Sequence, residues 1–153
     1  MSKALVLACG NSQRGDDGVA LQVVDYLRKN PCSPTAEFHC EQQWTPELAE
    51  PISEAEIVIF VDAAVGGQAG SIACRQLQAC SNASVTSTHN TSPDSLLFLA
   101  EALYGKSPAR AYLITITGES FELAETLSDP VRDAIPRSAE RIKALLTEVP
   151  LPD

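Results

Sequence analysis

The sequence is poor in positive charge. Eleven Lys and Arg stand against twenty Asp and Glu, for a formal net charge of −9. Proteins grip phosphate backbones with Lys and Arg that release counterions, so a broad nucleic-acid interface is disfavoured. Anionic lipid is disfavoured on the same ground, and neither nucleic acid nor membrane is an expected partner. Long apolar runs are missing as well. The start, Met1-Ser-Lys-Ala-Leu-Val-Leu-Ala-Cys-Gly10, carries an apolar stretch too short for a signal peptide or a membrane span. No Cys-x-x-Cys occurs among Cys9, Cys32, Cys40, Cys74 and Cys80; their number is odd, and the gap from Cys32 to Cys40 fits no common zinc module. A reducing cytoplasm is the expected compartment. Internal repeats, low-complexity blocks and long linkers are absent too.

What is present is an ordinary globular composition, 44% hydrophobic and 20% charged over 153 residues. A chain of this length buries roughly 70% of its unfolded surface. One domain spanning residues 1–153 is expected. Strand-like and helix-like segments alternate along it. Ala4 to Ala8 is a continuous apolar run, as for a strand buried on both faces. From Gly18 the period changes: Val19, Ala20, Val23, Val24 and Leu27 recur at helical spacing, and the helix should end near Arg28-Lys29-Asn30, before Pro31. Ala36 to Gln42 alternates weakly and predicts a second strand. Thr45-Pro46-Glu47 predicts an N-cap and a short helix. Ile57 to Val61 is the strongest strand signal, ending in Asp62. Ser71 to Leu77 predicts an edge strand, and a short strand is expected before His89. Ser92-Pro93-Asp94 should cap a helix whose apolar positions are Leu96, Leu97, Ala100 and Leu103; Ala111 to Ile116 predicts another strand. Asp129-Pro130 opens the last helix, which Pro136 should kink or restart. This alternation implies an α/β fold, a three-layer α/β/α sandwich on a mostly parallel central sheet.

The residues that carry chemistry lie behind the strands. Gly10-Asn-Ser-Gln-Arg-Gly-Asp-Asp-Gly18 joins the first strand to the first helix, where dinucleotide folds hold pyrophosphate. It is neither Gly-x-Gly-x-x-Gly nor Gly-Lys-Ser/Thr, and Asp16 and Asp17 would repel a phosphate at contact distance. The loop suits a cation, unless one of the aspartates serves as a helix cap. Asp62 follows the most buried strand, at the end that faces the binding crevice in open α/β sheets; a cap or turn role is the alternative. His89 sits between the short strand and the Ser92 helix. His39 lies inside a weak strand with no acid partner placed by the pattern and is read as structural. Asp17, Asp62 and His89 thus all follow strands and could converge on one sheet edge. One imidazole and two carboxylates suit a borderline divalent metal with coordination positions left open. Two covalent arrangements use the same region: Ser84 or Ser87 with His89 and Asp62, and Cys9 with His89. No Gly-x-Ser-x-Gly elbow supports the serine version.

Leu5-Val-Leu-Ala-Cys-Gly-Asn11, Gly15-Asp-Asp-Gly-Val19, Ile57-Val-Ile-Phe-Val-Asp-Ala63 and Ser87-Thr-His89 resemble, in order and spacing, the hydrogenase maturation proteases. Gly118-Glu-Ser-Phe121 and Leu127-Ser-Asp-Pro130 resemble the C-terminal third of that family, so the likeness runs from Lys3 to Leu146. The resemblance implies an α/β/α sandwich and a peptide-bond hydrolase. Its expected action is to remove the C-terminal extension of a nickel-loaded [NiFe]-hydrogenase large-subunit precursor. It also aligns the family's metal-contacting acid with Asp17, its strand-end aspartate with Asp62 and its histidine with His89. The expected nickel arrives with the substrate as a recognition element and is not permanently bound. Two departures stand out. Ala8 replaces the first glycine of Gly-x-Gly-Asn, and Glu41-Gln-Gln-Trp-Thr-Pro-Glu47 replaces an Asp-Gly-Gly-Thr type segment implicated in substrate choice. Trp44, the only Trp, is either an exposed docking contact for the large subunit or a ring packed under the following helix. The alternative to an enzyme is a non-catalytic metal- or nucleotide-binding regulatory module on the same fold, and Asp16 and Asp17 argue against the nucleotide version.

Overall fold

The computed structural model describes residues 3–31, 36–79 and 91–147. The first strand, β1 (Ala4–Cys9), leads through a 3-10 turn (Gly15–Gly18) into α1 (Val19–Lys29). Then come β2 (Glu37–Glu41), a second 3-10 turn (Pro46–Leu48), α2 (Ala49–Glu54), β3 (Ile57–Ala64) and β4 (Ile72–Gln76). The described chain finishes with α3 (Pro93–Tyr104), β5 (Arg110–Thr117) and α4 (Asp129–Thr147). The strands form one sheet in the order β2-β1-β3-β5-β4, parallel except for β4 at the edge, which runs antiparallel to β5.

The uniform apolar character of β1 and β3 follows from this placement, because both of their faces are covered. Alternate side chains sort to opposite faces. Val6, Ala8, Ile59 and Val61 pack with α1 and α4, whereas Leu5, Leu7, Val58 and Phe60 pack with α2 and α3. The result is the expected three-layer α/β/α sandwich. From β1 the chain moves to β2 on one side, then returns to β3 on the other. The carboxyl ends of β1 and β3 therefore flank the topological switch point, where open α/β sheets leave a crevice.

Three local expectations need correction. Asp62 does not end its strand: β3 continues to Ala64, with Asp62 opposite Thr115, because β5 is long enough to keep pairing with it. Pro136 does not restart the last helix, which runs through it as one 19-residue element. The ring is exposed, so the carbonyl that loses its N–H partner can face water. Leu103 is 63% exposed while Leu96, Leu97 and Ala100 are buried, since the last turn of α3 extends beyond the core. The helix start is as anticipated and more complete: Ser92 and Ser95 bond reciprocally to each other's backbone N–H in a capping box. The short strand expected before His89 lies outside the described residues. Among the described residues no helix is long and apolar enough to cross a membrane.

Ile59 is fully buried at the middle of the sheet, and its truncation leaves a cavity that rigid strands cannot close. Ile59→Ala should cost about 2–5 kcal/mol in urea unfolding. Leu123→Ala, at a side chain 86% exposed, should change stability by less than about 0.5 kcal/mol.

Candidate active site

Two adjacent aspartates in the β1–α1 loop meet different partners. Asp16 is 1% exposed. Its Oδ2 accepts hydrogen bonds from the Glu119 N–H at 2.6 Å, the Ser120 N–H at 3.0 Å and the Ser128 hydroxyl at 2.8 Å. Its Oδ1 accepts from the Ser128 N–H at 2.8 Å. Burial by itself pushes this carboxyl up. The donors on Ser128, Ser120 and Glu119 outweigh that and hold it below the ordinary carboxylate range. Asp16 is therefore a structural tie between distant segments, which is neither a helix cap nor a ligand arrangement.

Asp17, the next residue, is half-buried, and its Oδ2 accepts the Asn11 N–H at 3.0 Å. Its position depends on two glycines. A side chain at Gly10 would overlap the Asp17 carbonyl oxygen, so only glycine lets the loop fold back this closely. Gly15 has φ of +55°, and an added Cβ would lie 2.7 Å from the Ser120 carbonyl oxygen.

Asp62 shares the α2/α3 face of its strand with Phe60, two residues before it. Its Oδ1 accepts the Ala63 N–H at 2.8 Å. Burial pushes its pKa up to about 6, and the charge of Asp17 adds to the rise; the Ala63 N–H and the Trp44 side chain offset part of it. The charge of Asp17 thus reaches Asp62 across the switch point. Cys9, at the end of β1, senses both. Burial pushes its thiol up to about 12, with Asp62, Asp17 and Glu41 each contributing repulsion. A thiol so protonated is a poor nucleophile, which argues against a Cys9 and His89 pair.

His89 lies outside the described residues, as do Ser84 and Ser87, so the third member of the expected set is placed only by sequence. Among the described residues no three His, Cys, Asp or Glu side chains group closely enough to hold a metal ion. Asp17 and Asp62 are described carboxylates at the crevice, near enough for the charge of Asp17 to act on Asp62. Trp44 is half-buried and packs edge-to-face on Phe60 with ring centroids 5.3 Å apart. It belongs to the wall of the crevice and is not a freely exposed contact. Its polar flanks, Gln43 and Thr45, conceal this in the sequence; the signal lies in Phe60, which shares the face of Asp62. His39 has an acid partner after all: Nε2 lies 3.2 Å from Glu37 Oε1, two residues back on the same strand face.

No protein-family model and no curated protein matches this chain. Solved structures do. The hydrogenase maturating endopeptidase HybD from E. coli is 23% identical with a TM-score of 0.72, covering 94% of this chain and 91% of its own. The fold is shared with hydrogenase maturation endopeptidases. The [NiFe] hydrogenase maturation protease HycI from Thermococcus kodakarensis KOD1 is 22% identical with a TM-score of 0.73, over 96% of this chain and 94% of its own. The hydrogenase 2 maturation peptidase from Thaumarchaeota archaeon SCGC_AB-539-E09 is 23% identical with a TM-score of 0.71, over 95% and 99%.

The raised pKa of Asp62 fixes a sign for stability. Between its unfolded value near 3.8 and its folded value of about 6, the native state binds more protons than the unfolded one. Stability from this group is therefore greatest below that window and falls as pH rises through it. Asp62→Asn removes the cost. The variant should exceed the parent by on the order of 1–3 kcal/mol near neutral pH, a margin that closes by about pH 4. Urea midpoints measured across that range check this, and equal midpoints near neutrality would contradict it.

Proposed function

We propose that the protein is an endopeptidase that removes the C-terminal extension of a nickel-loaded [NiFe]-hydrogenase large-subunit precursor. One observation supports the reading: on the fold shared with hydrogenase maturation endopeptidases, Asp62 lies beside the switch point of the sheet within reach of the charge of Asp17. The nickel belongs to the substrate. Asp17, Asp62 and His89 contact it as a recognition element, so that a precursor without nickel presents nothing for the two acids to hold. Two carboxylates and an imidazole leave further positions for ligands that the precursor itself provides.

The carboxylates also supply proton chemistry. Peptide hydrolysis needs a base for the attacking water, and a base works best when its pKa lies near the working pH. In the metal-free protein Asp62 is raised to about 6 by burial and by Asp17, and a cation at the site would lower it. A metal brought near the scissile carbonyl would polarise it, which lowers the demand on the base. The excess of acid over the whole chain is consistent with a cationic recognition element.

Purified protein should convert nickel-loaded precursor to the mature length and leave nickel-free precursor intact. Asp17→Asn and His89→Ala should each slow conversion by about 100-fold or more, as expected when a positioning or proton-transfer group is removed. Unchanged cleavage in both variants would sink the site assignment, and equal cleavage of nickel-free precursor would remove the recognition role.

A further inference from the structure

Among the described residues of the β1–α1 loop, Asp16 has the most heavily bonded side chain. Its carboxylate collects four donors from Glu119, Ser120 and Ser128. Backbone bonds join the same two regions: the Asp16 N–H donates to the Ser120 carbonyl at 2.8 Å, and the Gly15 N–H to the Ala124 carbonyl at 2.7 Å. The loop that carries Asp17 is thereby fixed to the segment that connects β5 with α4. On its other side, Asp17 is held by the Asn11 N–H. A 3-10 turn of four residues has little stiffness of its own, so the direction of the Asp17 side chain depends on what anchors its neighbour.

We infer that Asp16 is a positioning residue for the proposed peptidase: anchored to Glu119, Ser120 and Ser128, it sets the Asp17 carboxylate at the crevice without contacting substrate. The inference rests on the proposed function for its effect on catalysis. It does not need that function for its effect on Asp17. Removing the carboxylate charge should weaken all four bonds and let the turn shift, and small displacements of a reacting or ligating group are costly in rate.

Two readouts test this in the full chain. In Asp16→Asn, kcat for precursor processing should fall about 10- to 100-fold with KM within about twofold, as for misplaced groups near a reaction centre. Ser128→Ala, which removes one of the four donors and keeps the carboxylate, should give a smaller fall in the same direction and guards against a variant that fails to fold. Amide hydrogen exchange supplies the second readout. A tie that serves only to hold the 118–128 segment would cost protection at the Glu119, Ser120 and Ser128 N–H groups alone. A positioning role costs protection at the Asn11 N–H as well, because that group reports on the Asp17 carboxylate. Unchanged Asn11 protection in folded Asp16→Asn overturns the inference, as does a kcat within about twofold of the parent. If the parent protein cleaves no precursor, the proposed function falls, and the Asn11 result alone decides the positioning role.

Discussion

The cost of placing negative charge at the carboxyl edge of a parallel sheet governs the rest of this molecule. Asp17 and Asp62 lie at the crevice between β1 and β3, where burial and the charge of Asp17 both work against ionisation of Asp62. Cys9 beneath them registers the same field as a thiol pushed up to about 12. A fold tolerates such a concentration of charge when other parts stabilise it, or when a cation relieves it in the working state. The surrounding structure supplies the first: fully buried strands on both sides, the Ala63 and Asn11 N–H groups, and the Trp44 side chain at the wall. The proposed substrate, with its nickel, supplies the second.

Neighbouring residues of one chemical type divide the labour. Asp16 and Asp17 are the same side chain one position apart, but Asp16 is enclosed by four donors and Asp17 receives one from within its own loop. The enclosed acid binds the loop to the C-terminal part of the chain, and the less enclosed acid is the one the proposed function uses. Glycine makes the arrangement possible at Gly10 and Gly15, where any Cβ would collide with backbone.

Periodicity made most of the architecture readable beforehand. The apolar runs at Ala4 to Ala8 and Ile57 to Val61, the helical spacing after Gly18 and the Ser92 cap all correspond to observed elements. Their order implies a mostly parallel sheet, and therefore one edge at which Asp17 and Asp62 could converge. Boundaries were less legible. Burial falls off at Asp62 while pairing with β5 continues, so hydrophobicity alone places the end of β3 two residues early. The roles of Asp16 and Trp44 were hidden for a different reason: each depends on partners far away in sequence. More than a hundred positions separate Asp16 from Ser128, and no local pattern could announce that contact.

The ionisation of Asp62 reports directly on the paired carboxylates at the crevice. The side-chain carboxyl of Asp62 can be followed by carbon NMR through a pH titration of the metal-free protein, in the parent and in Asp17→Asn. The expected midpoint is near 6 in the parent, moving down when the neighbouring charge is removed. A parent midpoint near the ordinary value of about 3.9, or one that does not respond to Asp17→Asn, would contradict it.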